Sequence, residues 1–177
     1  MAIARTGRLT LRPFHSDDQD ALEAVFGDPD VMRFGPGIQT RQWIADWIQE
    51  RAEERSVVSG LGTWAVTETD TAAVIGYCGL FSYPDIGGRS EIELGYRLAR
   101  RFWGKGYATE AALAVRDHAF DALGLPRLVA LIDPANARSL RVAAKLGMRF
   151  EREAMLPNYS YPDHLYSIER ADVPTTR

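Results

Sequence analysis

A pair of glycines in the second half of the chain could bind an anion. The segment RFWGKGYATEA covers residues 101–111, between a strand-like run and a helix-like run. Gly104 and Gly106 allow a sharp turn and a close approach of a ligand to the backbone. The first amides of the following helix have no partner inside that helix, and at the positive end of its dipole they favour phosphate or pyrophosphate. Lys105 adds a positive charge and Thr109 adds a hydroxyl donor.

The glycine pair alone says little about the ligand. A GxG turn is more often selected for packing, and the third glycine of the dinucleotide-binding fingerprint is missing. The GK[ST] sequence of a Walker loop is missing as well. The segment therefore indicates an anion site and leaves the anion open.

A second segment of the sequence narrows the choice of ligand. Residues 134–149 read PANARSLRVAAKLGMR and follow an apolar run at 127–132, which predicts a buried central strand. Asn136 comes just after that strand, Ser139 follows three residues later, and a helix-like run ends in Leu-Gly-Met. An unrelated phosphate-binding enzyme would share the glycines but would not need this second segment.

Together the two segments resemble those of the GNAT family of acetyl-CoA-dependent N-acetyltransferases. WGKGYA, from Trp103 to Ala108, is similar to the family's Q/R-x-x-G-x-G/A acyl-CoA loop, and residues 136–151 are similar to its N-x-x-[SA] segment ending in K-x-G-F. LRPF near the start, GYATEA, and HLYSIER near the end resemble the RimJ/RimL-like subgroup. That subgroup acetylates protein N-termini, antibiotics, polyamines and other small amines. The resemblance extends from Leu9 to Arg170.

The resemblance implies the α+β acyl-CoA N-acyltransferase fold of this family, with a mixed, mostly antiparallel central sheet and helices on both faces. In that fold two parallel strands, the fourth and fifth in the family's order, splay apart, and the pantetheine arm of acetyl-CoA enters between them. Here those strands correspond to Glu91–Leu98 and Arg127–Ile132. Acetyl-CoA is the implied co-substrate. The residues expected to bind it are Tyr96, Arg97, Leu98, Trp103, Gly104, Lys105, Gly106, Tyr107, Ala108, Thr109, Asn136 and Ser139.

Glu93 is the candidate base that would take a proton from the amine acceptor. By resemblance, its position two residues before Gly95 matches an E-x-G-Y pattern of the subgroup. The alternative is a charged residue on a solvated strand face. Glu91 and Glu93 alternate with apolar residues, so both point to the same side of the strand. If that side opens into the cleft, Glu93 is catalytic, and otherwise both glutamates lie on the surface.

Three positions depart from the family pattern. Trp103 stands where Gln or Arg is usual, a position expected to contribute mainly backbone, and Met148 stands where Phe is common. Ala143 stands where many members carry the tyrosine that protonates the leaving thiolate. Ser139 is then the nearest candidate acid, and its alternative role is the N-cap of the following helix. Further candidate donors, for which aromatic core is the usual role, are Tyr159, Tyr161 and Tyr166.

The acceptor itself is not specified by the sequence. Residues 28–49 are expected to form part of its pocket, by their position in the family. Trp43 and Trp47 are expected to be helix core rather than substrate contacts, because they share one helical face with Ile44 and Ile48. Three acidic residues could favour an amine in the cleft: Asp30, Glu91 and Glu93.

The bulk properties fit one domain that covers residues 1–177. Hydrophobic residues make up 46% of the chain and charged residues 25%, which supports a packed core. A net charge of −3 gives no global reason to bind nucleic acid. The single cysteine, Cys78, sits in an apolar run and is expected in the core, and three scattered histidines predict no metal site.

The cellular compartment and the binding partners are also predicted from the sequence pattern. The N-terminus lacks the apolar segment of a signal peptide, and no apolar run is long enough to span a membrane, so we expect a cytoplasmic protein without a membrane partner. Homodimers are common in the family, although no residue pattern here indicates one. The predicted elements are one strand, two helices, three strands, a helix, a strand, a helix and two strands. Helices are expected at 41–55 and 107–123, and a short helix is expected at 138–146.

The sequence therefore predicts an enzyme that transfers the acetyl group of acetyl-CoA to a primary amine. The amine would belong to a protein N-terminus or a small molecule and would attack directly in a ternary complex. The alternative is a non-catalytic acyl-CoA-binding module of the same fold, which the missing tyrosine at Ala143 leaves open.

Overall fold

One mixed sheet organises the part of the chain that the computed structural model describes, residues 2–57, 60–156 and 161–173. In chain order its strands are β1 (Ala4–Arg5), β2 (Leu9–Arg12), β3 (Thr63–Glu68), β4 (Val74–Tyr83), β5 (Glu91–Leu98), β6 (Arg127–Ile132), β7 (Arg149–Ala154) and β8 (Asp163–Glu169). They lie in the order β1-β2-β3-β4-β5-β6-β8-β7. Every neighbouring pair is antiparallel except β5 and β6. The predicted α+β class and its mostly antiparallel sheet are confirmed.

The α-helices in the same residues are α1 (Gln19–Phe26), α2 (Arg41–Val57), α3 (Tyr107–Asp117) and α4 (Ala137–Lys145). A π-helical turn, His118–Ala122, continues α3, and the chain turns away at Gly124 with φ +65°. The regular part of α3 is therefore shorter than the predicted span of 107–123, because the hydrogen-bonding pattern changes at His118. Within the described ranges, no helix is both long enough and apolar enough to cross a membrane.

The apolar faces of the helices explain how they sit on the sheet. Ala111 and Ala112 of α3 are fully buried, and such small side chains let the helix lie close to β4 and β5. On α2 the core residues are Ile44 and Ile48, which are 1% and 6% exposed. α1 packs against α2 and β4, so the two N-terminal helices form one layer over that strand.

The parallel pair β5 and β6 is joined at only one position. Glu93 pairs with Val129, and the described backbone shows no other register between the two strands. By contrast, β4 and β5 pair over eight positions, from Gly76–Leu98 to Tyr83–Glu91. The strands therefore separate beyond Glu93, which agrees with the predicted splay.

A buried arginine holds neighbouring strands together at the end of the β5–β6 pair where the two strands stay adjacent. Arg127 of β6 is 8% exposed, and its Nε lies 3.0 Å from Glu91 Oε2 on β5. The same guanidinium binds Glu151 of β7 at 2.6 Å and Glu169 of β8 at 2.7 Å. Because one cation holds carboxylates from three neighbouring strands, the splay is confined to the opposite end of the pair.

Candidate active site

A cleft of about 850 Å³ opens where β5 and β6 separate. Residues 93–98 and 130–132 line its walls, the glycine loop and the start of α3 line one end, and side chains of α2 and residues 30–36 line the other. The cleft is thus continuous from the predicted cofactor loop to the predicted acceptor segment. A donor and an acceptor could therefore meet at its centre.

The glycine loop presents free backbone amides to this cleft. Gly104 and Gly106 have φ of +75° and +84°, in the left-handed region that glycine adopts without strain. Gly106 is the N-cap of α3, and the Glu110 amide makes the first helical bond, to the Gly106 carbonyl. The amides of residues 107–109 therefore have no helical partner, and all three residues line the cleft.

Lys105 differs from the rest of its loop because it does not line the cleft. Its carbonyl accepts a hydrogen bond from Arg8 Nη1 at 2.9 Å, and its Nζ lies 5.4 Å from the centre of the Phe102 ring. Arg8 also binds Glu110 of α3, with Nε 2.7 Å from Oε2. The N-terminal strand region thus holds the loop in place, a contact that sequence reasoning missed because nearly a hundred residues separate the partners.

Trp103 contributes its side chain as well as its backbone, which corrects the expectation for this departure from the family pattern. The indole Nε1 donates to the Leu98 carbonyl at 2.7 Å. The Arg138 guanidinium lies 4.6 Å from the centre of the Trp103 ring, within the range of a cation–π contact. Trp103 therefore connects the end of β5 to the start of α4 across the end of the cleft that the glycine loop lines.

Asn136, and not Ser139, is the N-cap of α4. The Asn136 Oδ1 accepts a hydrogen bond from the Ser139 amide at 3.2 Å, so the predicted alternative of Ser139 as the cap is wrong. An asparagine one residue before the helix is a strong N-cap signal that was available in the sequence. Both side chains line the cleft. The Asn136 Nδ2 has no hydrogen bond to any of the described residues, so it is free to bind a ligand carbonyl.

Ser139 has an unexpected hydroxyl neighbour. The Tyr96 hydroxyl lies 3.4 Å from Ser139 Oγ and is placed to donate to it. Burial raises the pKa of Tyr96 to about 12, and the bond to Ser139 opposes that shift. Ala143 is 2% exposed and carries no hydroxyl. The sequence predicted Tyr96 only as a residue that binds acetyl-CoA, whereas the fold also brings its side chain from β5 to α4.

Glu93 lies at the point where the strands part, and its side chain enters the cleft. Its Oε1 accepts a hydrogen bond from the Leu131 amide at 3.4 Å. Burial raises the pKa of Glu93 to about 7, while that amide, the Tyr83 hydroxyl and Arg97 oppose the shift. The charge of Asp163, which lines the same cleft, adds to the increase. A carboxyl group with this pKa can accept a proton near neutral pH.

The alternative in which both glutamates are surface residues is wrong. Glu91 is 3% exposed and binds the buried Arg127, so it neither faces solvent nor contributes acidity to the cleft. Asp30 lines the cleft, but its carboxylate lies 2.5 Å from Arg100 Nη1. Of the three acidic residues expected there, Glu93 keeps a carboxyl group in the cleft whose pKa is raised, although the charge of Arg97 opposes that rise.

Some of the remaining candidate residues line the cleft, and others lie outside it. Leu98 and Arg97 line the cleft, and the Arg97 guanidinium donates to the Tyr77 hydroxyl at 3.0 Å. Tyr161 is exposed and donates to Asp133 at 2.7 Å, and Tyr166 packs 5.8 Å from Phe150, so neither lines the cleft. Tyr159 lies outside the described residues. Cys78 is fully buried, as expected, and burial raises the pKa of its thiol.

Known proteins match almost the whole chain. Residues 8–149 match the family described as an acetyltransferase (GNAT) domain. An uncharacterised Bacillus subtilis protein, YkkB, is 38% identical over 83% of this chain and 85% of its own. An uncharacterised N-acetyltransferase, p20, of Bacillus licheniformis is 34% identical over 90% of this chain and 88% of its own. A GNAT-family acetyltransferase structure from Bacillus anthracis covers 97% of this chain and 100% of its own, with 26% identity and a TM-score of 0.83.

Proposed function

This chain belongs to the GNAT acetyltransferase family, and we propose that it transfers the acetyl group of acetyl-CoA to a primary amine by direct attack in a ternary complex. Members of this family use acetyl-CoA as co-substrate and an amine as acceptor. The proposal rests on one observation above all. A single cleft joins the free amides of α3 to a carboxyl group whose pKa is about 7.

Coenzyme A is proposed to bind in the half of the cleft formed by the glycine loop and the splayed strands. The amides of residues 107–109 would hold the pyrophosphate, since they are unpaired and lie at the positive end of a helix. The backbone of Tyr96, Arg97 and Leu98 would hydrogen-bond the pantetheine arm as a neighbouring strand would. Asn136 Nδ2 would bind a pantetheine carbonyl. Lys105, on the outer side of the loop, would act on the phosphates only through its charge.

Glu93 is proposed to be the base. The nitrogen of the acceptor must be neutral to attack, so Glu93 takes its proton directly or through one water molecule. A carboxylate with a pKa near 7 is partly ionised at neutral pH and becomes fully ionised as the pH rises. A backbone amide of β5 would stabilise the negative charge that develops on the acetyl oxygen during the attack, a contribution of about 3–4 kcal/mol in well-studied acyl transfer.

Ser139 is proposed to protonate the departing thiolate, with Tyr96 orienting it. Donation from Tyr96 to Ser139 Oγ leaves the serine proton free to point toward the leaving sulfur. As the thioester bond breaks, the sulfur takes the serine proton, Ser139 takes the proton of Tyr96, and solvent restores the latter. A coenzyme A thiol is acidic enough that this help is modest. The alternative of a non-catalytic binding module was left open because Ala143 replaces the tyrosine that usually protonates the thiolate. The hydroxyl groups of Tyr96 and Ser139 offer another proton donor and therefore count against that alternative.

The test combines binding with turnover. Acetyl-CoA should raise the melting temperature of the purified chain, which we propose to be one domain over residues 1–177. A panel of primary amines should then release coenzyme A thiol, measured with a thiol reagent. Thermal stabilisation by acetyl-CoA without acetylation of any amine, peptide N-termini included, would support the binding-module alternative. No stabilisation would contradict the cofactor assignment itself.

A further inference from the structure

The acceptor half of the cleft has a wall of aromatic rings. Trp43 and Trp47 of α2 are stacked with centroids 6.3 Å apart, and Trp47 lies 5.1 Å from Tyr77 of β4. Phe26 fills the gap, 5.0 Å from Trp47 and 5.6 Å from Tyr77. Phe81 continues the wall, 6.5 Å from Tyr77. These contacts make one continuous surface from helix α2 to strand β4.

Part of this wall is open to a ligand. Phe26 and Tyr77 are 1% and 5% exposed and form its backing, whereas Trp43, Trp47 and Phe81 are only partly buried and line the cleft. Both tryptophans pack against the core, as expected, but Ile44 and Ile48, each one residue later in the chain, are the more deeply buried residues of that face. The two indole rings are therefore left facing the cavity.

The wall ends beside the proposed base. Phe81 pairs with Glu93 across β4 and β5, and its ring crosses over Gly95. A Cβ at Gly95 would lie 3.0 Å from Phe81 Cε2, so glycine makes room for the ring in this position. An acceptor lying along the wall would bring its end to the carboxyl group of Glu93.

The charges of this half suit one ammonium group. Among the described residues that line the cleft, the acidic ones are Asp30, Glu93 and Asp163. Asp30 is bound to Arg100. Asp163 is close enough to Glu93 to affect its pKa, so the remaining negative charge of the cleft lies at the end of the wall beside Glu93. Arginine side chains line this half of the cleft: Arg97 donates to the Tyr77 hydroxyl, and Arg33 lies 5.5 Å from the centre of the Phe34 ring.

We propose that the acceptor is a monoamine that carries an aromatic ring, with its ring against Trp43, Trp47 and Phe81 and its amine at Glu93. This inference rests on the proposed acetyl transfer and specifies its acceptor. A polyamine fits poorly, because its second ammonium group would meet Arg97 and Arg33, and the Asp30 carboxylate in this half is already bound to Arg100. An aliphatic amine would fill the space without the edge-to-face contacts that aromatic pairs add.

The experiment compares kcat/KM for four acceptors with the parent protein at saturating acetyl-CoA. They are 2-phenylethylamine, 2-cyclohexylethylamine, spermidine and a tripeptide with an N-terminal serine. We expect 2-phenylethylamine to exceed each of the others by about 10-fold or more, which corresponds to about 1.4 kcal/mol. Equal or better use of any of the other three would overturn the aromatic acceptor while leaving acetyl transfer intact. Failure of all four, while another amine of the panel is acetylated, would also overturn the aromatic acceptor, whereas failure of the whole panel with acetyl-CoA bound would contradict the proposed function.

Two variants test the wall itself. Trp47→Leu should lower kcat/KM for 2-phenylethylamine by about 10-fold and leave the Kd for acetyl-CoA unchanged, because it removes ring contacts from the acceptor half alone. Trp43→Leu gives a second measurement if the first variant is unstable. Phe150→Leu is the matched control, since Phe150 is 52% exposed and does not line the cleft. An equal loss for 2-phenylethylamine in Phe150→Leu, or no loss in either tryptophan variant, would overturn the proposal.

Discussion

The two halves of the cleft are built from different parts of the chain. The half proposed to bind the cofactor, called the cofactor half below, is mainly backbone, namely the amides that follow Gly106 and the edges of two strands that have separated. The acceptor half is mainly side chain, a set of aromatic rings from two helices and a strand, with Glu93 between the halves. A backbone site accepts few changes in its conformation, whereas a side-chain site can be rebuilt residue by residue. This difference predicts which substitutions remove binding, which remove rate and which only change the acceptor.

The largest effect is expected from Glu93→Gln, because Glu93 lies between the two halves and is the proposed base. The amide keeps the shape and cannot accept the proton, so kcat should fall by about 10²–10⁴-fold while acetyl-CoA affinity holds. In the parent, kcat should rise with pH around 7 as Glu93 ionises, under the influence of Arg97, Tyr83 and Asp163. That titration near pH 7 should be missing in the variant, whose rate should rise only as the acceptor amine itself loses its proton. Parent-like rates across pH 6–9 would mean that positioning alone drives the reaction.

Gly106→Glu should remove cofactor binding while the protein stays folded. The variant puts bulk, negative charge and a strained positive φ at the amides proposed to hold pyrophosphate. In the parent, acetyl-CoA at 100 times its Kd should stabilise the fold by about 2.7 kcal/mol, seen as a higher melting temperature. Gly88→Glu is the control, because Gly88 also has positive φ, at +88°, is exposed, and lies outside the cleft. An unchanged shift in Gly106→Glu would refute the loop assignment.

Asn136→Ala should have two separable effects. Losing the helix cap should lower the free energy of unfolding by about 1 kcal/mol. Losing the Nδ2 donor should weaken coenzyme A binding by about 1–3 kcal/mol, the cost of an unpaired polar group in the complex. Asn136→Asp separates them, because its carboxylate still accepts from the Ser139 amide and has no donor to offer. If Asn136→Asp binds coenzyme A like the parent in calorimetry, the residue is a cap alone.

Ser139→Ala should have the smallest effect, on rate only. Since Asn136 caps α4, the urea midpoint should stay at the parent value. We expect kcat to fall by about 10-fold at most, because the thiol leaves readily near neutral pH. Tyr96→Phe should give a similar but smaller loss if it orients the serine. A lower urea midpoint for Ser139→Ala with a parent-like kcat would reverse this assignment.

Much of the fold and the cofactor half could be predicted because both depend on local sequence. The alternation at 91–98, the apolar run at 127–132 and the glycine pair each act over a few residues. The parts that were missed depend on contacts between distant residues. Tyr96 meets Ser139 across the cleft, Arg127 gathers three glutamates, and Arg8 reaches the glycine loop. Periodicity placed Trp43 and Trp47 on the correct helix but could not tell which side of their shared face would stay open.

The single backbone bridge between β5 and β6 has a consequence for amide hydrogen exchange. Amides of residues 94–98 and 130–132 that point into the gap have no facing strand to protect them, although their alternate neighbours bond to β4 and β8. Within one strand, fast and slow exchange should therefore alternate residue by residue in the free protein. A ligand arm that pairs with both edges would slow the fast set alone. Exchange measured at single residues would then show whether bound acetyl-CoA protects the amides that face the gap between β5 and β6.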